Sequence, residues 1–374
     1  MNFDLTEEQR VIQETFHRFA RDKLKPDAEA IDEKAEFPAT HFRAVGDLGF
    51  FGMRYPEEAG GSGNDVVSYC LAAEELAYGS LSVAAACAMQ SLMGTYFLHR
   101  FGTPEQKRTF FEPALRGEKI GTICITEPDA GSDLSNIATS AREEADGYVL
   151  NGQKMWITQA PVADFFTVFA KVDGVLNIFL VARDNPGLVV GRNIKKMGVK
   201  ASVTSEVSFQ ECRIAKDAML GESGKGVECL KEILDEIRVM TGALAVGCAR
   251  AALEDSLAYA KERVQFGKPI VKFQAIKLLF AEMATELEVA RRFVLYAAWR
   301  SDRGMKNSKE SAMAKLFASE TGLSICDKAA RVMASYGYAM EYPIQRYLRD
   351  IRFTLIGGGT SEILKLIIAK ETGA

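Results

Sequence analysis

The sequence is poor in histidine and in paired cysteines, and both shortages limit the chemistry that its own side chains can perform. Its three histidines, His17, His41 and His99, stand far apart, which disfavours a zinc site or a Ser-His-Asp triad. Its seven cysteines are scattered singly, and an odd number without a disulfide pattern indicates reduced thiols in a cytoplasmic protein. If the protein is an enzyme, we therefore expect a cofactor to carry the difficult chemistry.

Charge of one sign and long apolar runs are also scarce. The formal net charge is −4 and the pI is about 5.7, and no long basic run occurs, so nucleic acid and anionic membranes are not expected partners. Residues 1–5 lack the basic and apolar regions of a signal peptide. No uninterrupted apolar run approaches the roughly 18–20 residues of a membrane span. We expect a cytoplasmic protein.

The residues that are abundant indicate an α+β fold. Hydrophobic residues make up 48% of the chain and charged residues 26%, which is typical of a soluble globular protein of two or three domains. Residues 1–117 show helical periodicity after a capping box at residues 6–9. From about residue 223 the helical period returns, and it predicts long helices over 226–262, 273–302, 308–335 and 361–372.

Between these helical parts, residues 118–222 contain short runs rich in branched and aromatic side chains, which predict β-strands. The runs are 120–125, 147–150, 154–158, 165–170, 178–182 and 207–209. Asp146-Gly147 and Asn151-Gly152 have the composition of hairpin turns. We therefore predict an antiparallel β-domain, either a small barrel or a sandwich, between two helical domains.

Residues 349–362 are the first stretch that indicates a ligand site. A partly apolar run ends in three glycines, and Thr360 and Ser361 then open the last apolar helix. Glycines let a backbone approach a ligand closely, and free N–H groups at a helix start suit an anion or a polar edge. The plain alternative is a Gly-rich turn with a Thr or Ser N-cap.

Two stretches of the β-domain carry hydroxyl groups and an aromatic face. Residues 123–133 read as a strand followed by a turn that contains Thr126 and Ser132, and residues 154–158 contain Trp156 and Thr158. The hydroxyls can hydrogen-bond a polar ring edge or a phosphate, and the indole offers a surface for stacking. Taken singly, each is an ordinary strand residue.

Together these stretches resemble the signature of the acyl-CoA dehydrogenase family, and the resemblance runs the length of the chain. Residues 219–226, 263–274, 336–350 and 359–363 resemble further motifs of that family, in the same order. The resemblance implies an N-terminal α-helical domain over 1–117, a middle β-barrel over 118–222 and a C-terminal four-helix bundle over 223–374. It also implies a homodimer or homotetramer that binds FAD between barrel and bundle.

The resemblance assigns roles residue by residue. The FAD-contacting positions would be Ile123, Ile125, Thr126, Ser132, Trp156, Thr158, Arg263, Phe266, Gln274, Arg331, Ala334, Ser335, Thr360 and Glu362. Those from Arg263 to Gln274, and the stretch 331–335, would reach FAD from a partner chain. Ser132, Asp235, Arg238 and Gly359 would contact the substrate, with Arg238 at its carrier arm. Where the family has glutamine and two glycines, this chain has Arg331, Ala334 and Ser335.

The reaction that the resemblance implies is oxidation of an acyl thioester, in which a glutamate removes the α-proton and the β-hydrogen leaves as hydride. Most family members carry that glutamate where this chain has Gly358, and some carry it where this chain has Ile237. Neither usual base is present. Asp235 and Glu236 lie beside Ile237, but one residue turns a helical side chain by about 100°.

Several functions are compatible with this loss. A base could act elsewhere, giving γ-proton or 1,4-type elimination, or a relocated base could perform ordinary α,β-dehydrogenation. The reaction could also run as enoyl reduction with solvent as the proton source, or the protein could bind flavin and acyl-CoA without catalysis. The acyl group could be held by an acyl-carrier protein instead of CoA, and the resemblance suggests an electron-transferring flavoprotein as the electron acceptor.

Overall fold

Helices occupy the N-terminal part of the computed structural model, which describes residues 4–374. They are α1 (Glu7–Phe19), α2 (Lys25–Lys34), α3 (Ala39–Asp47), α4 (Val66–Gly79), α5 (Leu81–Ala88), α6 (Tyr96–Phe101), α7 (Pro104–Gln106) and α8 (Glu112–Leu115). The expected capping box is present: the Gln9 N–H donates to Thr6 Oγ1, and the Thr6 N–H donates to Gln9 Oε1. All residues of α4 and α5 are buried, so these two helices form the centre of the N-terminal part.

A curled sheet of seven strands follows. The strands are β1 (Gly121–Cys124), β2 (Ser140–Glu144), β3 (Gly147–Thr158), β4 (Phe165–Val172), β5 (Val175–Ala182), β6 (Leu188–Val190) and β7 (Thr204–Ala215). Their order is β1-β4-β2-β3-β7-β6, and β5 pairs with β4. Strands β2 and β6 were not predicted. The sheet has a core of its own, separate from the core that the helices share.

The prediction that all strands are antiparallel is wrong. Strands β1 and β4 are parallel, with Gly121 opposite Phe165, and β2 meets β4 in parallel at one residue pair. Parallel neighbours need a long crossover, which residues 125–164 provide here by including the β2–β3 hairpin. The alternation of side chains along one strand does not reveal which strand will lie beside it.

Of the two predicted hairpin turns, one is confirmed and one is wrong. A hairpin is present at Asp146-Gly147: Ala145 and Asp146 join β2 to β3, and Glu144 pairs with Gly147. Asn151-Gly152 instead lies inside β3, at a bulge opposite β7. A Cβ on Gly152 would lie 2.5 Å from the Thr139 hydroxyl, so glycine is required there for a close approach between strands.

Long helices form the C-terminal part. The elements are α9 (Gly226–Glu262), the short hairpin β8 (Val264–Gln265) and β9 (Lys268–Pro269), α10 (Gln274–Asp302), α11 (Ser308–Met333), α12 (Ile344–Asp350) and α13 (Ser361–Thr372). The four long predicted helices agree with α9, α10, α11 and α13 to within two residues. Helix α9 packs against α4, α10 and α11, so it joins the two helical parts. The α+β fold class is confirmed.

Buried polar contacts tie the three parts together. Asp32 of α2 accepts hydrogen bonds from Arg349 of α12 at 2.6 and 3.1 Å and from Lys200, in the loop before β7, at 3.3 Å. In the same region Asp350 accepts from the backbone N–H of Val199 at 2.6 Å.

One stretch, Leu81–Phe101, is apolar and long enough to cross a membrane, but 89% of its most apolar window is buried, as in a core helix.

Candidate active site

The glycine loop before α13 has a backbone that only glycine adopts easily. Gly358 has φ +72° and Gly359 has φ +103°, and both lie in the left-handed region. Thr360 then caps α13, because its hydroxyl accepts from the Ile363 N–H at 3.3 Å. The Thr N-cap expected of an ordinary Gly-rich turn is therefore present. The structure also shows what the loop faces.

The two positions where a family base is expected meet at one point. A Cβ on Gly358 would lie 3.4 Å from Ile237 Cγ2 and 3.3 Å from Thr241 Oγ1, both on α9. Ile237 is 4% exposed, and the Thr241 hydroxyl donates to the Ile237 carbonyl at 2.7 Å. A glutamate at either position would therefore enter the same place. Ile237 lines that place with an apolar side chain, and neither Gly358 nor Ile237 supplies a carboxylate there.

The two neighbouring carboxylates on α9 are held by other partners. Asp235 accepts from Arg238 Nη1 at 2.9 Å and from the Ser311 hydroxyl at 3.0 Å, so it ties α9 to α11. Glu236 accepts two bonds from Arg54, at 2.8 and 3.1 Å, and so ties α9 to the N-terminal part. Both side chains therefore have structural contacts that a free base would not have.

A lysine that the sequence reading did not single out supports the glycine loop. Lys315 of α11 is fully buried, and its Nζ donates to the Gly359 carbonyl at 2.7 Å. Burial, with the nearby positive charge of Arg238, lowers the pKa of Lys315 to about 8. Its spacing of three residues from Ala312 and Ala318, which are buried on the same face of α11, is the sequence pattern that could have predicted its burial.

The expected flavin residues of the sheet lie around a turn next to β3. The Met155 N–H donates to the Thr126 carbonyl at 2.9 Å, which fixes the turn beside the strand. Trp156 has φ +63° and is 57% exposed, so a ligand can reach its indole ring. Ser132 is also exposed, whereas Ile123 is buried and Ile125 and Thr158 are half-buried.

A buried ion pair, also missed in the sequence reading, holds this turn. Lys154 Nζ donates to Glu127 Oε1 at 2.8 Å and to the Ile125 carbonyl at 3.1 Å. The N–H groups of Ala138 and Thr139 donate to the same glutamate. Burial opposes charge on both residues, but the hydrogen bonds from Lys154, Thr139 and Ala138 keep the pKa of Glu127 below its usual value. Burial lowers the pKa of Lys154.

The expected flavin residues of the C-terminal part form a separate group. Arg263 follows α9 and lies over the Tyr336 ring, 5.4 Å from its centroid. Phe266, in the β8–β9 turn, is 93% exposed, and Gln274 opens α10. Within residues 4–374, no hydrogen bond or ring contact joins this group to Trp156 or the turn beside it.

The remaining expected positions lie at the ends of α11 and α13. Arg331 is exposed and pairs with Asp327 of its own helix at 2.8 Å. Ala334 has φ +51° and ψ −127°, a conformation that favours glycine, and Ser335 after it is exposed. Glu362 is exposed in the first turn of α13.

The expected substrate positions divide between the turn and the α9–α11 contact. Ser132 is on the turn beside Trp156, while Asp235, Arg238 and Gly359 meet near Lys315. The Arg238 side chain is only 9% exposed, and its Nε has no hydrogen-bond partner in the described chain. A buried donor without an acceptor at this place suits a polar ligand.

The residues present fit FAD. The accessible indole of Trp156 and the hydroxyls of Thr126 and Ser132 suit a flavin ring and its polar edge. The Ser361 hydroxyl, buried at the start of α13, has no hydrogen-bond partner in the described residues, as expected of a group that awaits a ligand. The substitutions at 331, 334 and 335 leave these features intact.

Comparisons with known proteins agree with this assignment. Family models match residues 6–118 as the acyl-CoA dehydrogenase N-terminal domain, 122–212 as the middle domain and 224–373 as the C-terminal domain. The benzylmalonyl-CoA dehydrogenase of Aromatoleum aromaticum is 59% identical over 377 residues, covering 100% of both chains. The 3-(aryl)acrylate reductase of Clostridium sporogenes is 40% identical over 372 residues, covering 98% of both chains.

A solved structure agrees with the fold over the whole chain. The butyryl-CoA dehydrogenase of Megasphaera elsdenii has a TM-score of 0.96 at 36% identity, and the match covers 100% of both chains. The family matches follow the order helices, sheet, helices that the sequence predicted. The chain therefore belongs to the acyl-CoA dehydrogenase family, and it is an FAD-dependent oxidoreductase acting on a CH–CH bond.

Proposed function

We propose that this protein oxidises the Cα–Cβ bond of an acyl thioester that carries a free carboxylate on Cα and an aryl group on Cβ, with loss of CO₂. The relative named for benzylmalonyl-CoA, identical at 59% of positions over the full length, supports this substrate class. The single observation that carries the mechanism is that Gly358 and Ile237 face the same place. Both positions where the family places its catalytic base lie there, and neither carries a carboxylate in this chain.

The missing base has a large expected effect on ordinary dehydrogenation. A positioned general base contributes typically about 10²–10⁴-fold to a rate. Asp235 and Glu236 are already held by Arg238 and Arg54, so neither replaces it without breaking an ion pair. A γ-proton or 1,4-type elimination, or dehydrogenation by a relocated base, would also need such a carboxylate. A reaction that needs no base fits the site better.

Loss of CO₂ supplies the same electron pair that a base would release. The bond between Cα and the free carboxylate breaks, its electron pair stays on Cα as the thioester enolate, and CO₂ leaves. The enolate then expels hydride from Cβ, and the Cα–Cβ double bond forms. Bound FAD supplies the hydride acceptor. The substrate anion thus gives CO₂, a neutral enoyl thioester and one hydride, so atoms and electrons balance.

The face of the glycine loop at Gly358 is where this carboxylate would have to lie. The bond that breaks at Cα must overlap the thioester π-system, just as the C–H bond would. The carboxylate therefore takes the face from which a base would otherwise approach. Gly358 presents no side chain on that face, and a Cβ there would already lie 3.3 Å from Thr241 Oγ1 and 3.4 Å from Ile237 Cγ2, so any side chain on the loop would crowd the carboxylate.

Two chains are expected to complete the FAD site. Trp156, Thr126 and Ser132 would hold the flavin from the sheet of one chain, and Arg263 and the residues near it would reach FAD from a partner. Supporting this, Phe266 is 93% exposed and Tyr338 91% exposed, although both are large aromatic side chains. A homodimer or homotetramer would cover them.

Enoyl reduction is the second candidate. A relative 40% identical over nearly the whole chain is named as a reductase of aryl acrylates. Reduction places hydride on Cβ and a proton on Cα, and water can supply that proton, so the absence of a glutamate is less costly. If this candidate is right, cinnamoyl-CoA should reoxidise the reduced holoenzyme. The rate of that reoxidation should exceed the rate at which the oxidised holoenzyme oxidises benzylmalonyl-CoA.

The deciding experiment uses FAD-loaded protein and benzylmalonyl-CoA labelled with ¹³C in its free carboxyl group, under anaerobic conditions. We expect the flavin absorbance to bleach and one ¹³CO₂ to form per cinnamoyl-CoA. The control is 3-phenylpropanoyl-CoA, which lacks only the carboxylate and should bleach the flavin far more slowly. Equal rates with the two thioesters would refute the proposal. Bleaching by neither, nor by the same acyl groups on an acyl-carrier protein, would indicate a binding protein.

A further inference from the structure

Positive charge exceeds negative charge in the contact between α9, α11 and the glycine loop. Arg238 and Lys315 are both buried there, and Asp235 is the carboxylate that pairs with Arg238. In a relative with a glutamate at the position of Gly358, that side chain would bring a second negative charge to the loop. Here one buried positive charge has no carboxylate partner.

Lys315 is the cation without such a partner. Its Nζ carries three hydrogens and makes one hydrogen bond in the described chain, to the neutral carbonyl of Gly359. The charged groups that act on it come from three helices: Arg238 of α9, Glu320 of α11 and Glu362 of α13. Both glutamates are exposed, so solvent screens them more than it screens the buried Arg238.

We propose that Lys315 is a specificity-determining residue that selects acyl thioesters carrying a negative charge at Cα, through its positive charge behind the glycine loop. The inference rests on the proposed function, because it concerns the carboxylate of that substrate. Lys315 Nζ lies 2.7 Å from the carbonyl oxygen of Gly359, the residue after Gly358, so its charge is held against the loop beside which the substrate carboxylate would lie. In a water-poor site a unit charge in such a position changes affinity by about tenfold or more.

Lys315 acts on binding more than on the loss of CO₂. The net charge stays the same as the bond breaks, but it moves off the carboxylate that Lys315 attracts and onto the thioester enolate. After hydride leaves, the enoyl thioester is neutral at this point. The same cation then favours release of product over rebinding, because the product lacks the charge.

Two simple thioesters test this effect without flavin reduction. Malonyl-CoA carries the free carboxylate on Cα but has no Cβ hydrogen to lose, and acetyl-CoA is the same ligand without the carboxylate. Because loss of CO₂ would convert malonyl-CoA into acetyl-CoA, its binding is measured immediately after mixing. Binding of each to oxidised holoenzyme is measured from the change in flavin absorbance. We expect malonyl-CoA to bind at least tenfold more tightly than acetyl-CoA at pH 7, and an equal affinity would overturn the inference.

Variants show whether Lys315 is responsible. Lys315→Met should reduce the malonyl-to-acetyl preference about tenfold, and Lys315→Arg should retain it. The matched control is Lys196→Met: burial also lowers the pKa of Lys196 to about 8, and its Nζ donates to the Ser202 carbonyl at 2.9 Å, but it is not on the glycine loop. A purely structural role would weaken both ligands equally in Lys315→Met. That result would overturn the inference.

A pH titration of the unmodified protein gives a test that does not depend on a variant folding. Because burial and Arg238 lower the pKa of Lys315 to about 8, the free protein loses this charge above that pH. The malonyl-to-acetyl preference should be constant below pH 7 and fall between pH 8 and 9; a preference that stays constant to pH 9 would count against Lys315. If the preference behaves as expected but benzylmalonyl-CoA is not oxidised, the charge-selective site stands and the proposed reaction is wrong.

Discussion

Restoring a glutamate at Gly358 should convert the protein towards ordinary α,β-dehydrogenation. The added side chain would start from a Cβ next to Ile237 and Thr241, and in the substrate placement proposed above its carboxylate would face the proton on Cα. Oxidation of 3-phenylpropanoyl-CoA should then rise by about 10²–10⁴-fold, the usual contribution of a general base. Oxidation of benzylmalonyl-CoA should fall, because the new side chain would occupy the space of the substrate carboxylate and carry the same charge.

The structure also gives the cost of this substitution. At φ +72° an L-amino acid is strained by roughly 1–2 kcal/mol relative to glycine. The new Cβ would lie 3.3 Å from Thr241 Oγ1 and 3.4 Å from Ile237 Cγ2, a tight but tolerable fit that side-chain movement can relieve. We therefore expect Gly358→Glu to fold and bind FAD with somewhat lower thermal stability. Ile237→Glu brings the carboxylate to the same place from a helix, without that backbone strain.

The assay is anaerobic flavin bleaching by 3-phenylpropanoyl-CoA, with FAD content measured for each variant. Gly358→Gln is the matched control, since it has the same backbone strain and nearly the same volume but no basic carboxylate. If Gly358→Glu and Ile237→Glu both hold FAD yet oxidise this thioester no faster than Gly358→Gln, the reasoning is refuted. The pocket itself, and not the missing carboxylate, would then exclude the ordinary reaction.

Three further predictions concern the scaffold. Glu127→Gln should leave the Lys154 cation buried without its partner and lower the free energy of unfolding by about 3–5 kcal/mol. Thermal melts and FAD retention measure this loss, and the double variant with Lys154→Met should recover part of it. Ala334→Gly should stabilise the protein by about 1 kcal/mol or more, because φ +51° with ψ −127° is a glycine conformation; an unchanged melting temperature would argue against strain there. Burial raises the pKa of Asp350 to about 6, so its charged form is disfavoured in the folded state. Relative to Asp350→Asn, the wild type should therefore lose about 2 kcal/mol of unfolding free energy as the pH rises from 4 to 7, and parallel pH profiles of the two proteins would contradict this.

Local sequence patterns were sufficient for the long helices but not for the pairing of strands. Apolar spacing predicted α9 at residues 226–262 and α13 at residues 361–372, the ranges that the structure has. The parallel pairing of Gly121 with Phe165 depends on where the chain returns after β3, which no window of local sequence contains. The Asn151-Gly152 pair shows the same limit, since its glycine is required by contact with Thr139, which lies just before β2.

The site could be predicted in part from motifs, but motifs do not show which residues lie close together in the folded chain. Residue types and their order indicated FAD, and the roles of the individual contact residues remain predictions. That Gly358 and Ile237, 121 positions apart, face one another could only come from the packing of α9 against the loop. Lys315 looked like one of many helical lysines, because a single charge on a helix is usually solvated.

The meeting of Gly358 with Ile237 means that one chemical role can be filled from two unrelated parts of the chain. A Cβ on Gly358 would lie 3.4 Å from Ile237 Cγ2, so a carboxylate on the loop and a carboxylate on α9 would start from neighbouring points and compete for the same place. A single codon change at either place could therefore alter the type of reaction while the helix, the loop and the ligand stay where they are.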